Sequence, residues 1–275
     1  MTTRYKVLTI AGSDSSGGAG IQADLKTFQE RGVYGMSAIT TIVAMDPDHQ
    51  WNHKVFPIPF DTFQDQLKTI LQGIGIHALK TGMLGSVEII EYVAQTIRSQ
   101  DVPVVIDPVM VCKGTDEVLN PETADALREI LIPLATVATP NLFEAGQLSK
   151  MHPIRTVEEM KEAAARIHDL GAKVVIIKGG SKLEHEKAVD VVYDGHTFEV
   201  MEEERVETPY VHGAGCTFSA AITAELAKGK TVPEAIHLAK AFITEAIRGG
   251  FPLNEYVGPV LHMGYRLKNG NEDLK

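Results

Sequence analysis

The chain is poor in cysteine: its 275 residues hold two, Cys112 and Cys216, far apart and without CxxC spacing. Such usage fits reduced thiols in a cytoplasmic protein, argues against a zinc site, and makes each cysteine a question of reactivity. Long apolar runs are also missing, and none approaches the roughly 20 residues that span a bilayer. The opening Met1-Thr2-Thr3-Arg4-Tyr5-Lys6 leads into a short apolar strand rather than a signal-peptide core. Lysine and arginine do not cluster with aromatics, and the net charge is −10. This balance weighs against a nucleic-acid or anionic-membrane surface, so any bound phosphate should be held by local groups. No repeat, low-complexity segment or domain linker interrupts the sequence.

What is present has the profile of a soluble globular protein, 44% hydrophobic and 23% charged. The length suits one sizeable core, and residues 1–275 read as a single domain with a frayed polar tail over 269–275. Strands are predicted at 7–10, 38–44, 78–81, 104–107, 136–139 and 174–177. Between them lie helices: one after Gly20 that ends at Gly32, then 62–73, 87–97, 122–131 and 157–170. A hairpin with strands at 188–193 and 197–200 is predicted to turn at Asp194-Gly195, a favoured two-residue turn. The acidic run 201–207 reads as a solvated connection, and two helices follow. This alternation predicts an α/β fold with a mainly parallel sheet covered on both faces. Ligands in such sheets gather at the carboxyl ends of the strands.

The loops at those ends carry the candidate chemistry. Ala11-Gly12-Ser13-Asp14-Ser15-Ser16-Gly17-Gly18-Ala19-Gly20 has neither Walker A nor GxGxxG spacing. Its small residues admit a ligand close to the backbone, and Ser13 offers a polar contact. Asp24, off the Ile21/Leu25/Phe28 face, either points a carboxylate at a substrate or faces solvent near a helix N-terminus. Asn141 and Glu144 suit a capping box, or alternatively a magnesium ion held through oxygen ligands and water. Lys178-Gly179-Gly180 is either a plain strand exit or a lysine for nucleotide phosphates beside glycines that give the nucleotide room. Cys112 beside Lys113 is either a buried thiol or one with a lowered pKa.

The stretch most open to reading is His212-Gly213-Ala214-Gly215-Cys216-Thr217, a glycine turn feeding a helix with Phe218, Ile222 and Leu226 on one face. Such a turn leaves helix N–H groups unpaired at the positive end of the dipole, which makes an anion site. Cys216 there would have a lowered thiol pKa. A glycine-rich entry with a packed small thiol accounts for the same residues.

Taken in order, Gly82-Met83-Leu84, Asp107-Pro108-Val109-Met110 and the loops above resemble the ribokinase-like superfamily, nearest its branch of hydroxymethylpyrimidine kinases and related pyridoxal kinases. The resemblance covers residues 5 to 265. It implies a three-layer α/β/α fold, ATP and Mg²⁺ as co-substrates, a small heterocyclic acceptor and a homodimer. It implies an anion hole at Gly213, Ala214, Gly215 and Cys216, with cysteine where most sugar kinases of the superfamily carry an aspartate base. Asn141, Lys178, Gly179, Gly180, Gly213 and Thr217 fall at nucleotide positions, and Glu144 at the metal. Ser13, Asp24, Met45, Met83, Val109 and Cys112 fall in the substrate pocket.

Ala44-Met45-Asp46 stands where the pyrimidine kinases of the branch usually read Ala-Gln-Asn. Methionine has no donor to give a pyrimidine's amino-bearing edge, a loss of about 1–3 kcal/mol. The resemblance therefore favours a pyridoxal, pyridoxine or pyridoxamine 5′-kinase of vitamin B6 salvage, with Cys112 a candidate to add reversibly to the pyridoxal aldehyde. A hydroxymethylpyrimidine kinase and a non-catalytic B6-binding protein are the alternatives.

Overall fold

The computed structural model describes residues 4–110, 121–180 and 182–270. In chain order the elements are β1 (Lys6–Asp14), α1 (Gly20–Glu30), β2 (Tyr34–Asp46), β3 (Asn52–Pro57), α2 (Phe60–Gly73), β4 (Ala78–Thr81), α3 (Val87–Arg98) and β5 (Val104–Ile106). Next come α4 (Pro121–Ala126), β6 (Val137–Ala138), α5 (Leu142–Ser149), α6 (Val157–His168), β7 (Val174–Lys178), β8 (Lys187–Tyr193) and β9 (Phe198–Glu204). The chain ends through α7 (Ala214–Ala227), α8 (Val232–Arg248) and α9 (Gly264–Asn269). It divides into two compact units, Met1–Gly85 with Glu207–Lys275, and Ser86–Val206.

In the first unit the strand order is β3-β2-β1-β4, with β1 parallel to both β2 and β4 and β3 antiparallel on β2. Every residue of α7 from 217 to 227 is buried, the pattern of a helix enclosed on all sides. Ala220, Ala224 and Ala227 meet Phe28 and Val33, so small side chains let α7 approach α1 closely. Arg31 and Glu225 form an ion pair at 2.6 Å, 2% and 1% exposed, and Lys228 reaches the same carboxylate at 2.9 Å. The Arg31 guanidinium also lies 5.5 Å from the Phe242 ring and 5.4 Å from the Tyr265 ring, which joins α8 and α9 to the cluster.

In the second unit β5, β6 and β7 run parallel, and β8 and β9 follow antiparallel. The expected hairpin is present, but Tyr193 pairs with Phe198, so the loop has four residues. The Asp194 carboxylate accepts from His196 N–H at 2.9 Å and Thr197 N–H at 2.7 Å, which favours the wider turn over the two-residue one. The acidic run is not a connection up to Glu204: Met201 to Glu204 pair with β8, and Met201 is 6% exposed. Exposed glutamates on an edge strand keep its outer side from pairing further. The helix expected over 122–131 becomes α4 and then a π-helical turn, Leu127–Leu131.

Candidate active site

In the first unit, loop 12–20 is organised by Asp14. Its carboxylate accepts from Ser16 N–H and Ala19 N–H, each at 2.8 Å, and lies 2.8 Å from His212 Nε2. Burial alone would raise its pKa, but the bonds from His212 and Ser16 prevail and bring it to about 2. Ser13 Oγ accepts from Gln22 Nε2 at 2.8 Å, and the Gln22 oxygen accepts from Asp14 N–H at 2.9 Å. The loop is therefore pre-shaped by its own side chains, with Ser13 half-buried at its start.

Opposite that loop lies the entry to α7. His212 N–H donates to Gly258 at 3.1 Å, and its carbonyl accepts from Val260 N–H at 3.2 Å. Gly213 is left-handed at φ 79°, and a Cβ there would overlap the Gly18 carbonyl oxygen, so only glycine closes the turn against loop 12–20. Ala214 N–H is taken by the Val211 carbonyl at 3.1 Å. Gly215 and Cys216 follow in the first turn of α7, both half-buried. Cys216 forms no disulfide among the described residues; Cys112 lies outside them.

Two expectations in this unit need correction. Asp24 neither faces solvent nor lines a pocket: it is fully buried, 2.7 Å from Lys80 Nζ and 2.6 Å from the Thr9 hydroxyl. Lys80 is as buried as its partner, and that cation draws the carboxylate inward. Thr217 is 0% exposed, with its hydroxyl bonded to the Gly213 carbonyl at 2.8 Å, so its side chain is not open to a nucleotide. Met83 is half-buried, its sulfur close to where a Gly12 side chain would be, and its carbonyl accepts from Thr40 at 2.7 Å. Met45 is half-buried near the end of β2. The turn after it is pinned by Asp46, which Lys54 and then His49 hold well below the usual carboxylate range.

The second unit brings together Asp107, Asn141, Glu144 and Lys178. Lys178 Nζ lies 2.9 Å from Asp107 Oδ1, which also accepts from the Thr139 hydroxyl at 3.1 Å. Asn141 caps α5: its side chain accepts from Glu144 N–H at 2.9 Å, and the Glu144 carboxylate accepts from Asn141 N–H at 2.8 Å. Glu144 is 3% exposed. Burial first, and the neighbouring Asp107 next, push its pKa up to about 7 against the opposing pull of Lys178. Gly179 does not make room for a nucleotide, since a Cβ there would strike the Val189 carbonyl, whereas Gly180 is exposed. Val109 is half-buried beyond β5. The sequence reading had not singled out Asp107 or His212 for a role; the His212–Asp14 bond spans 198 positions, and no local spacing signals it.

A family model described as phosphomethylpyrimidine kinase matches residues 14–261. The pyridoxine kinase of Bacillus subtilis is 67% identical over 264 residues, 96% of this chain and 97% of its own. The hydroxymethylpyrimidine/phosphomethylpyrimidine kinase of the same organism is 40% identical over 268 residues, 97% of this chain and 98% of its own. The ADP complex of Bacillus subtilis pyridoxal kinase superposes with a TM-score of 0.94 at 66% identity, covering 96% of this chain and 100% of that one. Staphylococcus aureus pyridoxal kinase with AMP-PCP and pyridoxal superposes with a TM-score of 0.91 at 51% identity, covering 96% and 95%.

Proposed function

Because the chain belongs to the phosphomethylpyrimidine kinase family, we propose that it is an ATP-dependent kinase of vitamin B6 salvage, acting on the 5′-hydroxymethyl of pyridoxal, pyridoxine or pyridoxamine. One contrast carries the choice of heterocycle: 67% identity to a pyridoxine kinase against 40% to a pyrimidine kinase, at nearly equal coverage. Phosphoryl transfer passes through a loose transition state helped chiefly by positioning and charge stabilisation. The turn 213–216 suits that task, with Gly215 and Cys216 amides to gather phosphoryl charge and the Cys216 thiol as base or orienting group for the hydroxyl. Ser13 holds the polar edge of the ring, and Met45, Met83 and Val109 pack against its faces.

Asn141, Lys178 and Gly180 serve the nucleotide, whose phosphates would draw Lys178 from Asp107. Two buried carboxylates beside one lysine fit Mg²⁺, because a cation offsets the burial, and after it the neighbouring Asp107 charge, that lift the Glu144 pKa. Glu144 already accepts from backbone N–H groups, so water-mediated contact suits it better than direct ligation. When bound, Mg²⁺ supplies charge neutralisation at the phosphates. The whole chain acts as one kinase domain in the cytoplasm; among the described residues no helix is long and apolar enough to cross a membrane. It pairs as a homodimer, for which the edge strand β3 offers exposed Val55 and Phe56.

The test is a panel of pyridoxal, pyridoxine, pyridoxamine and hydroxymethylpyrimidine at fixed ATP and Mg²⁺, followed by ADP release. We expect the highest kcat/KM on a B6 vitamer. A higher value on the pyrimidine assigns the chain to thiamin synthesis, and no ADP with any acceptor leaves only a binding protein.

A further inference from the structure

His262 follows α8 and is 7% exposed. Its Nε2 lies 3.1 Å from the Thr217 hydroxyl oxygen, and that hydroxyl lies 2.8 Å from the Gly213 carbonyl oxygen. A carbonyl can only accept, so the hydroxyl proton goes to Gly213 and its lone pair is left for a ring N–H. The donors then run in one direction: imidazole Nε2–H to hydroxyl, hydroxyl to carbonyl. Thr217 N–H reaches the same carbonyl at 2.9 Å. The Gly213 carbonyl shares a rigid peptide plane with Ala214 N–H, so fixing one fixes the other and with it the path into Gly215 and Cys216.

We propose that His262 is a positioning residue for the phosphoryl-binding turn, donating Nε2–H to Thr217 so that the hydroxyl stays locked on the Gly213 carbonyl. The inference rests on the reading of 213–216 as the anion site. The surroundings keep the ring neutral: burial first, and then Lys26, lower its pKa to about 4. His262 lines a cavity of about 500 Å³ whose other charged walls are Lys26 and Glu30. Lys26 donates to the Gly17 carbonyl at 2.6 Å, and Glu30 is held by Arg266 at 2.8 Å. With the ring uncharged, the Thr217 contact selects which nitrogen carries the proton.

Steady-state kinetics on the full chain with pyridoxal and ATP test this, using Thr217→Val, His262→Leu, His262→Gln and the double variant Thr217→Val/His262→Leu. We expect Thr217→Val and His262→Leu each to lower kcat about tenfold with both KM values nearly unchanged. The double variant should be no worse than either single, because one chain of bonds is cut, and His262→Gln should recover most of kcat through its amide N–H. Additive losses in the double variant would overturn the relay. A normal kcat in His262→Leu beside a low one in Thr217→Val leaves the anion site standing and removes His262 from it. Normal kcat in both overturns the relay alone, since the amides of 213–216 are intact in each variant. ¹H–¹⁵N NMR of the wild type gives a readout that needs no variant to fold: a neutral Nε2–H ring from pH 5 to 8 is expected, and an Nδ1–H tautomer overturns the assignment.

Discussion

Replacing Glu144 by glutamine should change how stability depends on pH. The side chain is 3% exposed, and its pKa rises from 4.5 to about 7 on folding. Between those values the native state holds a proton that the unfolded chain has lost, so wild-type stability falls as pH rises through this window. Each pH unit is worth up to about 1.36 kcal/mol. The difference of 7 − 4.5, about 2.5 units, then gives a loss on the order of 3 kcal/mol, complete by pH 8. Glutamine does not titrate, so the variant lacks this slope. It also offers one oxygen where the carboxylate accepts from both Asn141 and Met110 N–H. Leaving one of those donors unpaired costs about 1–3 kcal/mol at every pH. Glu144→Gln should therefore be the less stable protein at pH 5 and should match or exceed the wild type at pH 8. Urea unfolding of both proteins in EDTA, from pH 5 to 8, measures the gap directly, because titrations the two proteins share cancel. Parallel curves, or a wild type that gains on the variant as pH rises, would refute the account of Glu144 as a carboxylate charged against its surroundings.

Met45→Gln restores a donor and acceptor at the end of β2 and should shift the ratio of kcat/KM toward hydroxymethylpyrimidine by roughly 5- to 150-fold; an unchanged ratio in competition assays removes Met45 as the determinant. Gly213→Ala should abolish detectable turnover, since its side chain would occupy the space of the Gly18 carbonyl; retained kcat in a folded variant would contradict the packing of the two loops. Arg31→Met leaves the buried Glu225 with Lys228, 2.9 Å away, as its remaining cation, at a cost of about 1–3 kcal/mol, so thermal unfolding should come roughly 5 °C earlier. Adding Glu225→Leu should recover most of that loss, and failure to recover would place the effect in packing around Phe242 and Tyr265.

The sequence disclosed this architecture wherever side-chain burial and backbone pairing coincide. The apolar run of β7 and the face of α1 were legible for that reason, as was the glycine entry to α7, where a left-handed residue must precede an apolar-periodic helix. Where pairing proceeds without burial the signal disappears. β9 keeps its ladder with β8 while exposing glutamates, so only its start, within 197–200, was legible, and β3 alternates no apolar residues and ends at Pro57, so it escaped a reading based on hydrophobic period. Within the site, motif order located the loops but did not say which side chains face a ligand. Asp24 sits in a ligand-like position by motif and is instead enclosed with Lys80, because its partner is contributed by a strand 56 residues away. Asp14 shows the converse: it resembles one more polar loop residue, yet His212, 198 positions on, makes it the group that shapes the loop. The same physics underlies both cases. A buried charge is tolerated only with a counter-charge or hydrogen bonds to satisfy it, and in this chain those partners come from elements far apart in sequence. Motifs therefore predict where the chemistry gathers, and long-range polar pairing decides which residues remain free to perform it.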